Sequence, residues 1–305
     1  MIDAHVHIFP RISGYNGNGF IESLSGGRIR LGTGEIQQAL SPAFSDNACT
    51  SETLLRYMDW NEIDRAVLLQ GNFYGAPNNY LFDAHKKWPD RLSFAGMVDP
   101  YSTTAQQQVN YLVEELGCRM LKMECSTGFG LSGIHPSLNY EDEYFSRIFE
   151  VADAMGMTII FDTGLPHTLG YQITALENII KKYTKVNFVI AHLGFPPGKR
   201  DHAANGEGWK KMINIGKHPN VWFDLSSLVG LDGDEYPYPL AQEYIHYAFI
   251  LDGAKKLIFG TDFPGILTKC TYQQAVSFIR DHCTFLTDDD KKKIFETNAE
   301  SVYKW

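Results

Sequence analysis

Short apolar runs, each closed by a polar residue, punctuate the chain. In the first, "IDAHVHI" (residues 2–8), Ile2, Ala4, Val6 and Ile8 alternate with Asp3, His5 and His7. Side chains on a strand point to opposite faces in turn, so this alternation predicts a β-strand with Asp3, His5 and His7 on one face. Seven further runs read as buried strands: "DRAVLLQG" (64–71), "RLSFAGMVD" (91–99), "CRMLKME" (118–124), "MTIIFDT" (157–163), "VNFVIAH" (186–192), "VWFDLSS" (221–227) and "KLIFGTD" (256–262). Stretches with helical spacing lie between them, such as 51–62, 79–88, 103–116, 141–155 and 239–252, several ended by Gly or Pro. Strands alternating with helices mean βαβ units and parallel pairing. Eight such units in 305 residues point to a closed (β/α)₈ TIM barrel rather than an open doubly wound sheet. No Gly-rich phosphate loop follows the first strand, and no domain boundary interrupts the rhythm, so residues 1–305 read as one α/β domain.

One stretch breaks the rhythm. Residues 10–50 are rich in Gly, Ser and Asn, and a loop of that length in a compact domain is usually functional. It is expected to fold over the barrel mouth.

Composition narrows the function classes. A net charge of −9 argues against general nucleic-acid binding, which requires a basic face. No apolar run is long enough to span a bilayer. The first strand begins at Ile2, so no secretory leader is expected ahead of it. The five cysteines are odd in number and scattered, as expected of reduced thiols in a cytoplasmic protein.

In such a barrel the chemistry sits at the C-terminal ends of the strands. There the polar residues are His5 and His7 on strand one, Lys122 and Glu124 on strand four, Asp162 on strand five, His192 on strand six and Asp262 on strand eight. Taken singly, Asp162 and Asp262 read equally well as turn caps, His192 as a core histidine, and Lys122 as a partner of Glu124 or Asp162. Together they deliver three imidazoles and two aspartates to one rim. Burying charge unpaired is costly, and a cation that collects these groups explains the arrangement. Asp3 is a candidate to orient a ligand histidine, and His167 lies close after strand five. Cations also fall on the catalytic-side loops: Arg28 and Arg30, Lys199 and Arg200, and Lys269. Arginine matches a carboxylate in two-point contact, so Arg28 and Arg30 are the candidates to clamp a small carboxylic-acid substrate. Phe73, Tyr74, Tyr236 and Tyr238 are placed to cover a ring.

Six stretches, in order along the chain, resemble the amidohydrolase superfamily, in the branch that holds aminocarboxymuconate-semialdehyde decarboxylase and pyrone-dicarboxylate lactonase. They are "DAHVHIFP", "MDWNEIDRAVLLQ", "WPDRLSFAGMVDP", "AHLGFP", "LIFGTDFP" and "IFETNAESVY". The resemblance implies one divalent metal ion, usually Zn²⁺ with Mn²⁺ as the alternative, held by His5, His7 and Asp262. It also implies that His192 polarises or protonates the substrate. The branch commonly carries a metal-binding histidine at the end of strand five; here Asp162 stands there and is a candidate ligand, as is Glu124. Lys122 matches the lysine that is carboxylated in binuclear relatives. Some lactonases of the branch act without a tightly held metal, and homodimers are frequent in it.

Three functions follow as expectations. The first is hydrolysis of a lactone, ester or amide of a small acid, with Asp262 as general base and His192 stabilising the oxyanion. The second is decarboxylation of an aromatic or unsaturated acid on the same residues. The third is a non-enzymatic binding barrel.

Overall fold

The computed structural model describes residues 1–75, 77–198 and 202–305. All eight expected strands form: β1 (Ile2–Val6), β2 (Arg65–Leu68), β3 (Leu92–Phe94 and Gly96–Met97), β4 (Met120–Glu124), β5 (Thr158–Asp162), β6 (Asn187–Ile190), β7 (Val221–Asp224) and β8 (Leu257–Ile258). Every neighbouring pair from β1 to β8 is parallel, and β3 joins the two halves, since Leu92–Phe94 pairs with β2 and Gly96–Met97 with β4. The barrel closes between the end of β8 and β1. Ala4 N donates to Phe259 O (3.0 Å), Asp262 N to His5 O (2.8 Å) and His7 N to Phe263 O (2.7 Å), and Val6 bridges Phe263 in parallel.

Helices follow the strands on the outside: α1 (Ser51–Trp60), α2 (Asn78–Lys87), α3 (Ala105–Asn110), α4 (Glu143–Met155), α5 (Ile173–Lys182), α6 (His202–Ile213), α7 (Pro239–Asp252) and α8 (Tyr272–Ser277). The apolar stripe of α4 shows why such segments are helical and where they sit. Phe145, Ile148, Phe149 and Ala152 recur at three- and four-residue spacing and are all buried, Asp142 caps the start, and Gly156 ends it in the left-handed region. Burial of each such large side chain contributes about 1.5–3 kcal/mol.

Two layers fill the barrel. Ile2, Ala4, Val67, Leu69, Met120, Ile160, Val189 and Ile258 pack in its lower half, plugged from below by Val302 and Tyr303. One pleat period further along the strands, apolar becomes polar: Met120 is followed inward by Lys122 and Glu124, Ile160 by Asp162. A dry floor therefore carries a charged upper layer at the mouth.

The stretch after β1 is more ordered than its composition suggests. A hairpin pairs Tyr15–Asn16 with Gly19–Phe20, and a three-stranded antiparallel sheet joins Glu22–Ser23, Arg28–Arg30 and Ile36–Gln38. The Asn47 side chain ties this sheet down, accepting from Gly27 N (2.7 Å) and donating to Arg28 O (2.6 Å).

Candidate active site

The site begins with a displaced register. Along β1, Asp3 pairs with Ala66 and Val6 with Leu68, so three steps on one strand match two on the other. This bulge inserts one residue and turns the strand's facing. His5 and His7 enter the barrel mouth, while Asp3 is directed away from it. The expectation that Asp3 shares their face and orients a ligand imidazole is thereby corrected. Its carboxylate accepts from Thr261 N (3.0 Å), Thr261 Oγ1 (2.6 Å) and Tyr272 OH (2.5 Å), fastening the turn that carries Asp262. Burial raises its pKa to about 6, against the opposing hydrogen bonds from Thr261 and Tyr272.

Each ring of the pair has one nitrogen tied back. His5 Nδ1 donates to Asp224 Oδ2 (2.9 Å), and His7 Nδ1 to Leu69 O (3.0 Å). Both Nε2 atoms converge on Asp262 Oδ1, at 3.0 Å from His7 and 3.9 Å from His5. The three ligand atoms lie within 4.8 Å of one another. Burial holds His5 low, at about 4, with the Lys122 charge adding, so its imidazole is neutral at ordinary pH. Burial opposes ionisation of Asp262, but the His7 hydrogen bond and the charge of His192 hold its carboxyl well below the usual range. Two imidazoles and one carboxylate whose ligand atoms converge fit a single divalent ion, which would take the place of the proton between His7 and Asp262.

Asp162 is not gathered into that triad. Its Oδ2 faces His192 Nε2 (3.4 Å) and Lys122 Nζ (3.7 Å), and its Oδ1 accepts from Gly164 N (3.0 Å). Burial disfavours its charge, yet Lys122 and His192 keep it ionised. On the far side of His192, Ser226 Oγ donates to Asp224 Oδ1 and therefore accepts from His192 Nδ1 (2.8 Å). Burial alone would neutralise His192; the hydrogen bond and charge of Asp162 reverse this and lift it to about 9. His192 thus stands at the mouth as an imidazolium with a proton on each nitrogen. Glu124 lies 3.8 Å from Lys122, and burial together with neighbouring Asp162 raises it to about 8.

Two of these residues have left-handed backbones: His192 at φ 55° and Asp262 at φ 69°. Side chains larger than glycine rarely adopt this region, and such strain gathers at functional sites.

These groups line a cavity of about 410 Å³, with Ile29 and Ala39 from the sheet after β1 and the rings of Phe73, Tyr74, Phe129 and Phe195. Tyr74 stacks on His7 with ring centroids 4.7 Å apart. The overlying sheet meets the expectation of a cover, but its arginines do not reach inside. Strand alternation buries Ile29 toward the cavity and turns Arg28 and Arg30 outward, where Arg30 pairs with Glu22 (2.5 Å) and Arg28 Nε donates to Ser25 O (3.2 Å). Both are corrected as substrate clamps. Lys199 and Arg200 lie outside the described residues. His167 opens on a different hollow, of about 740 Å³, flanked by Glu177 and Lys217.

The residues missed in the sequence are Asp224 and Ser226, which between them set the proton positions of His5 and His192. Asp224 ends the apolar run "VWFD" just as Asp162 ends "IIFD", so the same rule could have found it.

Comparison with known proteins supplies the rest. A family model described as Amidohydrolase matches residues 2–305. A search of curated proteins returns no match. Among solved structures, an amidohydrolase from Burkholderia multivorans with bound zinc shares 14% identity at a TM-score of 0.72, covering 99% of this chain and 98% of that one. A probable 2-pyrone-4,6-dicarboxylic acid hydrolase from Acinetobacter baumannii with citric acid bound shares 18% at 0.68, covering 99% and 98%. A 5-carboxyvanillate decarboxylase from Sphingomonas paucimobilis shares 15% at 0.58, covering 84% of each chain. At these identities the likeness concerns the fold. Among the described residues, no helix is long and apolar enough to cross a membrane.

Proposed function

We propose, from the premise that the chain belongs to the amidohydrolase family, that this enzyme hydrolyses a C–O or C–N bond of a small cyclic substrate, a lactone or cyclic amide, with one Zn²⁺ or Mn²⁺ held by His5, His7 and Asp262. The observation that carries the reading is the convergence of two Nε2 atoms and Asp262 Oδ1, opposite His192, whose Nε2 faces Asp162 at 3.4 Å. The ion, when bound, supplies Lewis acidity for the carbonyl and for water.

The chain's own groups handle the protons. The carboxylate of Asp262, ionised and open to the cavity, accepts the proton of the attacking water. His192 Nε2–H, held by Asp162, donates to the oxygen on which negative charge develops and then to the leaving oxygen or nitrogen as its bond to the acyl carbon breaks. The four aromatic rings and Ile29 exclude water and cover an apolar ring. A carboxylate on the substrate would meet Lys122, the one Lys or Arg among the described lining residues.

The aromatic wall also supports the second reading, loss of CO₂ from an aromatic acid with His192 as proton donor. The experiment that tests the choice is a substrate panel of five- and six-membered lactones, cyclic amides and hydroxybenzoic acids, run with added Zn²⁺ or Mn²⁺. Ring opening without CO₂ supports hydrolysis; CO₂ from the hydroxybenzoates with no ring opening overturns it in favour of decarboxylation. Relatives of the family include both hydrolases and decarboxylases.

A further inference from the structure

Lys122 is a buried ammonium with three protons to donate and, among the described residues, no carboxylate within hydrogen-bond length. Its side chain is 1% exposed, yet Asp162 Oδ2 stands at 3.7 Å and Glu124 Oε2 at 3.8 Å, both beyond hydrogen-bond length. Closer than either carboxylate stands His5 Nε2, at 3.5 Å. That nitrogen has no proton of its own to offer, because the His5 proton sits on Nδ1 and goes to Asp224. Its lone pair is the same one that converges with His7 Nε2 and Asp262 Oδ1.

We infer that Lys122 and the metal ion compete for the lone pair of His5 Nε2, so that the ammonium is a resident cation that weakens metal binding. The inference rests on the metal reading above. Two effects act in the same direction. Filling the site removes the His5 lone pair that faces the ammonium at near-hydrogen-bond distance. It also places a divalent charge next to a fixed positive one in a water-poor pocket, where charges are poorly screened. Burial opposes the charge of Lys122, but neighbouring Asp162 sustains it, and the buried side chain has no path to solvent by simple rotation. The site would then load at high metal concentration and release the ion readily. In the unloaded state the ammonium remains as the electropositive group beside His5.

The test is calorimetric titration of the whole protein with Zn²⁺, which reads affinity rather than turnover. Lys122→Met removes the charge and keeps the length; Lys122→Gln is the second variant should the first not fold; Lys122→Arg keeps the charge. The inference expects affinity at least tenfold tighter in the Met or Gln variant, no tightening in the Arg variant, and loss of binding on adding His7→Ala. Unchanged or weaker Zn²⁺ binding in the Met and Gln variants, still abolished by His7→Ala, overturns the inference and leaves the metal site standing. Equal tightening with Arg also overturns it, since packing and not charge would then be responsible. Absence of binding in the unsubstituted chain and every variant overturns the metal reading, and this inference with it.

Discussion

Asp224 Oδ2 accepts the Nδ1 proton of His5 at 2.9 Å, and this one bond decides which nitrogen of His5 faces the cavity. Were the proton on Nε2, His5 could not serve as a ligand. The same carboxylate also accepts from His192 N (3.0 Å) and Ser226 N (3.0 Å), so strands β1, β6 and β7 are fastened at one point.

Asp224→Asn should therefore weaken metal binding without dismantling the barrel. Loss of such a supporting carboxylate typically costs about 10–100-fold in metal affinity. Calorimetric titration with Zn²⁺ checks this, and affinity equal to the unsubstituted chain would show that His5 holds its tautomer unaided.

Asp262→Asn separates binding from proton transfer. Asparagine tolerates the left-handed φ of 69° that Asp262 adopts, so the turn before Phe263 should survive. The amide cannot accept the proton of the attacking water. Turnover should fall by about 10²–10⁴-fold, the usual contribution of a general base, with the melting temperature nearly unchanged. Retained turnover would assign the base elsewhere.

Gly260 offers a steric test of His5. A Cβ built there would stand 2.9 Å from the Cβ of His5 and 3.3 Å from that of Ser226, too close for either to remain in place. Gly260→Ala should cost about 1–3 kcal/mol of stability, as overpacking does, and lower turnover by about 100-fold through displacement of the imidazole. Denaturant unfolding and steady-state kinetics on one preparation measure both. Normal activity would mean that the His5 position is not critical.

How far the sequence carried these conclusions depends on the range of the interactions involved. The eight strands, and the arrival of His5, His7, Asp162, His192 and Asp262 at one rim, follow from local periodicity, because a buried strand must deliver its terminal residue to the barrel mouth. The facing of Asp3 does not: one inserted residue in the β1–β2 register reverses it, and nothing in "IDAHVHI" marks the bulge. Nor does the facing of "RIR" at 28–30. Alternation makes Ile29 and the two arginines opposite, but which side meets the cavity is settled by how the sheet folds over it. The departure at Asp162 was visible as a residue; its role as the partner of His192 and Lys122 required the distances.

Arg28 and Arg30 give that distinction a measurable form. Both point away from the cavity, so Arg28→Met and Arg30→Met should each leave KM within about twofold, the range of an ordinary surface substitution. A rise in KM of ten times or more for either would mean that the sheet rearranges when substrate binds.

Asp3 makes the stability of the fold depend on pH. Its folded-state pKa of about 6 lies above the ordinary 3.8, because burial penalises the carboxylate. Between these values the folded chain binds more protons at this position than the unfolded chain, so the contribution of Asp3 to stability falls as pH rises from about 4 to 6 and is then constant. Near neutral pH the buried charge is therefore a net cost, of about 3 kcal/mol as an order of magnitude. Asp3→Asn removes the charge. Its carbonyl still accepts from Thr261 N, and the hydroxyls of Thr261 and Tyr272 can turn to accept from its amide. The variant should match the unsubstituted chain at pH 4 and exceed it progressively to pH 6 and above. Denaturant unfolding of both chains at pH 4, 5, 6 and 7.5 gives the difference directly. A difference that is flat with pH, or that shows the Asn variant less stable at 7.5, would mean that Asp3 enters the fold with its charge fully compensated by Thr261 and Tyr272.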